Sequence, residues 1–396
     1  MTIGIAVFWL MAAAVAAPLL AKIPIGLRLP VVVLEILLGV LIGPHALDLV
    51  GFEGFIESMF SLAMAATLFM AGMELDFEQI RGRPLTLALG GWGVSLLLGL
   101  AAVALLHAVP YVHTPMMVTL ALATTGLGVL IPVFRDSGQL QTPFGRMVVA
   151  AGVLGEVGPI VAMSLLLSQR FSTWQEIGYL AVFLAIVGGA VAMGMGARPP
   201  KLLAFVAREM HASAQLPVRL ALLVLAGLFV LAEELGFESI FGAFAAGMII
   251  GQVTRGEEGR PLRAKLEAVT FGWFYPFFFV GTGIHFDIAA LGADLRTLLL
   301  LPTFVLLFLL VRGAPVFLLY GNVVAPAHRL PFALSSAVPS LSIIVVITGI
   351  GLKSGAMDTD VATAMVGAGL VSALLFPTIA GALLSRRGRD PAGAVP

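Results

Sequence analysis

The chain has no cysteine among its 396 residues, and only 11% of them are charged. The first absence excludes disulfides, thiol nucleophiles and cysteine metal sites. The second, set against a usual charged share of about 25%, leaves too little polar surface to clothe a protein in water. Net charge is missing as well: Lys plus Arg and Asp plus Glu each number 22, so no basic or acidic balance points to nucleic acid or to an anionic substrate. The histidines, His45, His107, His113, His211, His285 and His328, never fall at ligand spacing, so no zinc or haem centre is supported and no cofactor is implied. What the chain has in abundance is apolar sequence, at 60% of all residues. Its runs are continuous for about 20 residues, whereas the strands of an outer-membrane barrel alternate over about 10. The chain therefore reads as an all-α polytopic protein that spans a lipid bilayer.

Cutting at charged and Pro/Gly-marked breaks gives thirteen apolar runs, near 4–20, 30–46, 57–74, 85–108, 115–137, 145–168, 176–196, 217–234, 238–254, 266–287, 297–321, 330–351 and 361–384. No basic residue precedes the first run and Lys22 follows it, which reads as an anchor and not as a cleaved signal. Basic residues in short loops are retained on the cytoplasmic side. With the N-terminus outside, eighteen of the 22 Lys and Arg fall in inside loops, and only Arg170, Arg296 and Lys353 fall outside. The expected topology is N-terminus out and C-terminus cytoplasmic, in a single domain over 1–396. An odd count permits two inverted six-helix repeats, 1–170 and 210–388, joined by a linker helix over 171–200. Inverted repeats of this kind are a transporter architecture.

In such a scheme the fifth and twelfth runs are equivalent, and both are interrupted. The fifth reads LALATTGLGVLIPVF, with Thr124, Thr125, Gly126, Gly128 and Pro132 in mid-span. The twelfth reads LSSAVPSLSIIVVITG, with Ser335, Ser336, Pro339, Ser340 and Ser342. Gly and Pro break the helical ladder, and hydroxyls can satisfy the freed groups or ligate an ion. Paired interruptions at corresponding places point to a midplane binding site. Two ordinary kinked helices, with hydroxyls bonded back to the chain, are the plainer alternative.

A charge near the bilayer centre costs at least about 2.5–3.5 kcal/mol, so each one needs a reason. Glu156 lies eleven residues into the sixth run, roughly 16 Å deep, and Arg312 nine residues from the end of the eleventh, roughly 14 Å deep. At one depth they can offset each other's desolvation, and the glycines at 152, 155 and 158 would let a neighbouring backbone approach the Glu156 helix closely. The pair reads either as a structural tie or as a titratable carboxylate with its charge-compensating arginine. Glu35, five residues after Pro30, reads as an interfacial or capping acid as readily as a participant. Glu74, Asp76, Glu78 and His285 read as solvated boundary residues.

Five segments resemble the monovalent cation:proton antiporters of the Kef and Nap type. They are LRLPVVVLEILLGVLIGP (27–44), LFMAGMELD (68–76), LQTPFGR (140–146), LGFESIFGAFAAGMIIG (235–251) and YPFFFVGTGIHFD (275–287), in the family's order over nearly the whole chain. The resemblance implies a thirteen-helix fold with a dimerisation domain, hence a homodimer, and a mobile ion-binding core in which the fifth and twelfth helices cross as broken helices. The family's adjacent acids in the sixth helix fall on Gly155 and Glu156, so only the second carboxylate is present. Its lysine in the eleventh helix falls on Arg312, as in electroneutral relatives. Its hydroxyl pair becomes Thr125 and Gly126, and a Kef-type glutamate falls on Ser342. Kef-type proteins carry a cytosolic nucleotide-binding domain after the last helix; the chain here stops at RRGRDPAGAVP with no GxGxxG fingerprint, so none is expected.

The function expected is exchange of Na⁺ or K⁺ for H⁺, not enzymatic catalysis, in a prokaryotic cytoplasmic membrane. Glu156 alternately holds the proton and the transported cation, Thr124 and Thr125 supply oxygens, and Arg312 compensates charge. Rivals are a passive channel, which lacks a TVGYG filter, an organic-anion symporter on a related fold, and a non-transporting sensor or scaffold.

Overall fold

The computed structural model describes residues 2–23, 31–75, 81–106, 115–127, 130, 134, 139, 142–167, 173–196, 214–257, 259–286 and 295–387. Among these residues regular structure is helical throughout. That follows from the composition, since in lipid each backbone polar group must find its partner within its own segment. The helices are α1 Ile3–Ala21, α2 Val31–Ile42, α3 Phe55–Glu74, α4 Arg83–Leu106, α5 Pro115–Leu122, α6 Pro143–Leu167, α7 Thr173–Gly196, α8 Leu216–Glu234 and α9 Ser239–Val253. There follow α10 Arg260–Val269, a π-helical turn Thr270–Phe274, α11 Tyr275–His285, α12 Leu295–Leu319, α13 Pro326–Ser336, α14 Leu341–Lys353 and α15 Thr359–Arg387.

Seven described helices, α1, α3, α4, α6, α8, α12 and α15, are long and apolar enough to cross a membrane alone. The pair α13 and α14, bent by 41°, makes an eighth. Large apolar side chains such as Phe8, Val15, Leu97, Leu105 and Leu306 stand exposed on the outer faces, where a bilayer would cover them. The tenth run begins earlier than its hydropathy suggests. α10 is amphipathic, with Arg260, Arg263, Lys265 and Glu267 around buried Leu262 and Leu266, and it continues through the π turn into the apolar α11.

Helix packing divides the described residues into two groups. One holds α1, α2, α3, α8, α9 and α11, and the other α4, α5, α6, α12, α13, α14 and α15. Contacts in the first half of the chain have counterparts in the second. α1 on α2 matches α8 on α9, α2 on α11 matches α9 on α3, α4 on α6 matches α12 on α15, and α4 on α5 matches α12 on α13. Even a contact across the seam between the groups is duplicated, α2 on α15 matching α9 on α6.

Candidate ion-binding site

Two helix breaks meet inside the second group. After α5 the backbone leaves the helix at Thr124, Thr125 and Gly126, and between α13 and α14 it does so around Val338 to Ser340. The N–H of Gly126 donates to Val338 O at 2.9 Å, and that of Ser340 reaches Thr124 Oγ1 at 3.4 Å. A side chain at 126 would stand 2.8 Å from Pro339 O, so only glycine lets the two chains approach this closely. Thr125 Oγ1 donates to Ser336 O at 2.6 Å. Each break thus satisfies backbone groups freed by the other, which is how broken helices persist at membrane depth.

α6 passes beside this crossing with its glycine row facing it. Gly152 receives Leu127, Gly155 receives Thr125 and Gly158 receives the Trp92 ring. The N–H of Thr125 donates to Gly155 O at 3.0 Å, and a Cβ at 155 would lie 2.6 Å from Thr125 Cβ. One residue further on, Glu156 is buried, and its Oε1 accepts the N–H of Leu127 at 3.1 Å. The crossing therefore presents a carboxylate, the Thr124 hydroxyl and backbone carbonyls in one place, an all-oxygen set of the kind hard cations require.

Arg312 does not pair with Glu156. It is buried on α12 and gives its donors to Thr125 Oγ1 (Nε, 2.8 Å), Ser95 Oγ (Nη1, 3.3 Å) and Ala151 O (Nη2, 2.8 Å). Equal depth along the membrane normal says nothing of direction around the helix axis, and the guanidinium reaches α6 more than one turn before Glu156. Its planar fork instead ties α4, the α5 break and α6 together. Ser95 and the Ala151 carbonyl had no signal in the sequence beyond a small hydroxyl in an apolar run. Of the two readings of Glu35, interfacial or capping acid and participant, burial disfavours the first: it lies within α2 and is 6% exposed.

Of the other expected site residues, Thr124, Thr125, Gly126, Pro339 and Ser340 are brought together, whereas Ser342 lies in the first turn of α14, half-buried. Gly128 and Pro132 lie outside the described residues. Two hydroxyls not chosen as ligands from sequence, those of Ser335 and Ser336 in the last turn of α13, are buried without a hydrogen-bond partner among the described residues.

A buried carboxylate beside paired helix breaks is the layout that points to an ion site within a membrane fold. The sequence model of the sodium/hydrogen exchanger transmembrane family matches residues 10–386, and the chain belongs to that family. Among similar proteins, YjbQ of Bacillus subtilis, whose name assigns it Na⁺/H⁺ antiport, is 25% identical over 89% of this chain and 58% of its own length. Cation/H⁺ antiporter 18 of Arabidopsis thaliana is 26% identical over 70% of this chain and 36% of its own. The chain thus spans well under two thirds of either relative. The Na⁺/H⁺-K⁺ antiporter GerN of Bacillus cereus is 23% identical over 91% of both chains. Two structures of the sodium proton antiporter MjNhaP1 from Methanocaldococcus jannaschii share the fold at 20% identity. One has a TM-score of 0.64 over 98% of this chain and 99% of that one, and the other 0.70 over the whole of both.

Proposed function

We propose that the protein is a secondary active antiporter, and not an enzyme, that exchanges a monovalent cation, Na⁺ or K⁺, for H⁺. The observation that carries this reading is the buried Glu156 carboxylate beside the two crossed breaks, with one oxygen held by the Leu127 amide and, among the described residues, no Lys or Arg paired with it. A proton or a metal cation can neutralise it there, but not both at once. Thr124, Thr125 and the freed carbonyls supply further oxygens, and Arg312 compensates charge at a distance while holding Thr125 in place. Family membership and the names of its relatives support the same assignment.

The duplicated helix contacts support two inverted repeats, 1–170 and 210–388, with 171–200 as linker and thirteen crossings in all. The group holding α4–α6 and α12–α15 is the ion-binding core; the other is the scaffold, through which two copies pair as a homodimer. An N-terminus outside and a cytoplasmic C-terminus fit the chain ends that touch. Arg255 donates to Leu75 O at 2.6 Å and Lys265 to Gln215 Oε1 at 2.7 Å, all four residues belonging to ends assigned inside. A prokaryotic cytoplasmic membrane is the natural setting.

The test is dissipation of a pH gradient in proteoliposomes by Li⁺, Na⁺, K⁺ and Rb⁺ in turn. Proton movement that depends on the cation, with an order of potency among the four, supports exchange. Vesicles whose pH gradient ignores every cation would identify a sensor or scaffold instead.

A further inference from the structure

Arg312 reaches the crossing from α12, but the acceptor that receives its Nη1 belongs to α4, a helix seated against three neighbours in succession. Gly91 lies under Tyr320 at the end of α12, whose ring and hydroxyl would stand 3.5 Å from a side chain there. Trp92 fills the hollow at Gly158 of α6, and Gly99 meets Thr119 of α5, whose Cγ2 would be 2.8 Å from a Cβ at 99. Positions 91, 95 and 99 share one face of a helix. Ser95 stands between the two glycine contacts and is fully buried, at 0% exposure. A serine hydroxyl has one proton to give and lone pairs to accept with. Here the proton goes to Gly91 O at 3.0 Å, which leaves the oxygen free to accept Nη1 of Arg312 at 3.3 Å.

From Ser95 the hydrogen bonds run on to the neighbours of Glu156. The guanidinium is planar, so fixing Nη1 at Ser95 and Nη2 at Ala151 O fixes the direction of Nε, which donates to Thr125 Oγ1 at 2.8 Å. That hydroxyl spends its own proton on Ser336 O at 2.6 Å, and the Thr125 N–H is held by Gly155 O at 3.0 Å. Two residues further on, the Leu127 N–H donates to Glu156 Oε1 at 3.1 Å. Thr125 therefore stands between the arginine fork and the amide that holds the carboxylate.

We propose that Ser95 is a positioning residue of the exchange site: it aims the Arg312 fork and, through Thr125, keeps the first helix break in register with Glu156 for cation binding. The inference rests on the exchange reading above and deepens it. A cation at Glu156 draws on oxygens of the break as well as on the carboxylate, so its affinity depends on where the break stands relative to α6. Without the Ser95 hydroxyl, Nη1 is left as a buried donor with no acceptor at that corner, a costly state. The fork turns to relieve it, and Thr125 loses its fixed place.

The experiment is cation-driven proton movement in proteoliposomes at fixed pH, with NaCl and separately KCl varied, giving KM and maximal rate for wild type, Ser95→Ala, Ser95→Thr and Ser95→Val, together with the unfolding temperature of each purified protein. Ser95→Ala raises KM about fivefold, the worth of about one net hydrogen bond, and leaves the maximal rate near wild type, the signature of lost binding. Ser95→Thr keeps the hydroxyl and its bond back to residue 91, and holds KM near wild type. Ser95→Val has the shape of Ser95→Thr without the hydroxyl and shows the raised KM, so this pair decides the matter even if Ser95→Ala does not fold. A lower unfolding temperature with KM unchanged is what a purely structural serine gives, and it overturns the proposal; so does an equal KM for Ser95→Thr and Ser95→Val. Either result beside a wild type that exchanges leaves the exchange reading standing. A wild type without cation-dependent proton movement fails that reading, and this proposal with it.

Discussion

Thr125 and Gly155 are joined backbone to backbone, the N–H of one donating to the carbonyl of the other at 3.0 Å, with no room between them for a side chain. This contact explains the lone acid on α6. A residue with a Cβ at 155 would meet Thr125 Cβ at 2.6 Å and Oγ1 at 2.7 Å, so an aspartate there would have to displace the broken helix itself. Gly155→Ala is expected to destabilise the protein by about 1–3 kcal/mol, the usual range for overpacking, or by more because backbone must move. The check is an unfolding temperature well below wild type, and an unchanged one would mean that the crossing yields easily.

Arg312 makes three hydrogen bonds to three different segments, while Glu156 accepts one. Breaking a buried charged network typically costs about 3–5 kcal/mol. Arg312→Ala should therefore unfold at a lower temperature than Glu156→Ala. Arg312→Lys should fall between wild type and Arg312→Ala, since an ammonium keeps the charge but not the fork. If Arg312→Ala proves the more stable of the two alanine variants, its role in holding the breaks together is wrong.

One exchangeable carboxylate predicts electroneutral, one-for-one exchange. Gly155 has nothing to titrate, and an arginine keeps its charge through the cycle. A membrane potential, worth about 2.3 kcal/mol per charge per 100 mV, then does no net work. In valinomycin-clamped vesicles the Na⁺ gradient that balances a fixed pH gradient should stay constant as the potential is varied. A balance point that moves with potential would require a second travelling charge.

At the N-cap of α9, just before the helix begins, burial holds the carboxyl of Glu238 above its ordinary value of 4.5, with Lys353 opposing the shift and Glu233 adding to it. The folded state binds this proton more tightly than the unfolded chain does. Ionised Glu238 therefore weighs against folding, not at all below the ordinary value and fully once the pH passes the raised one. Glu238→Gln should unfold at a higher temperature than wild type at mildly alkaline pH, and the gap should close as the pH falls through the carboxylate range. A gap that widens on acidification would reverse the sign.

Much of this arrangement was legible in the sequence, because lipid imposes one-dimensional rules. Each of the thirteen apolar runs meets helix among the described residues, and Thr124 to Gly126 and Pro339 to Ser340 meet as crossed breaks. The glycine row on α6 was legible too, as spacing alone puts 152, 155 and 158 on one face. Direction around a helix was not. Residue counting placed Glu156 and Arg312 at one depth, yet Arg312 turns to Thr125, Ser95 and Ala151. Burial of Glu35 was equally hidden, since it depends on α11 packing on α2 from some 240 residues away along the chain. The early start of the tenth helix was hidden because charged α10 is a stretch of helix that hydropathy counts as a loop.

The central claim is that Glu156 alternates between a proton and a monovalent cation. It is tested most directly by cation-driven proton movement in vesicles holding equal amounts of wild type or Glu156→Gln, whose amide keeps the shape but can neither release a proton nor hold a charge. Wild type should collapse the pH gradient when the cation is added, and Glu156→Gln should leave it at the protein-free level while unfolding at a similar temperature. Exchange at the wild-type rate by Glu156→Gln would contradict the account.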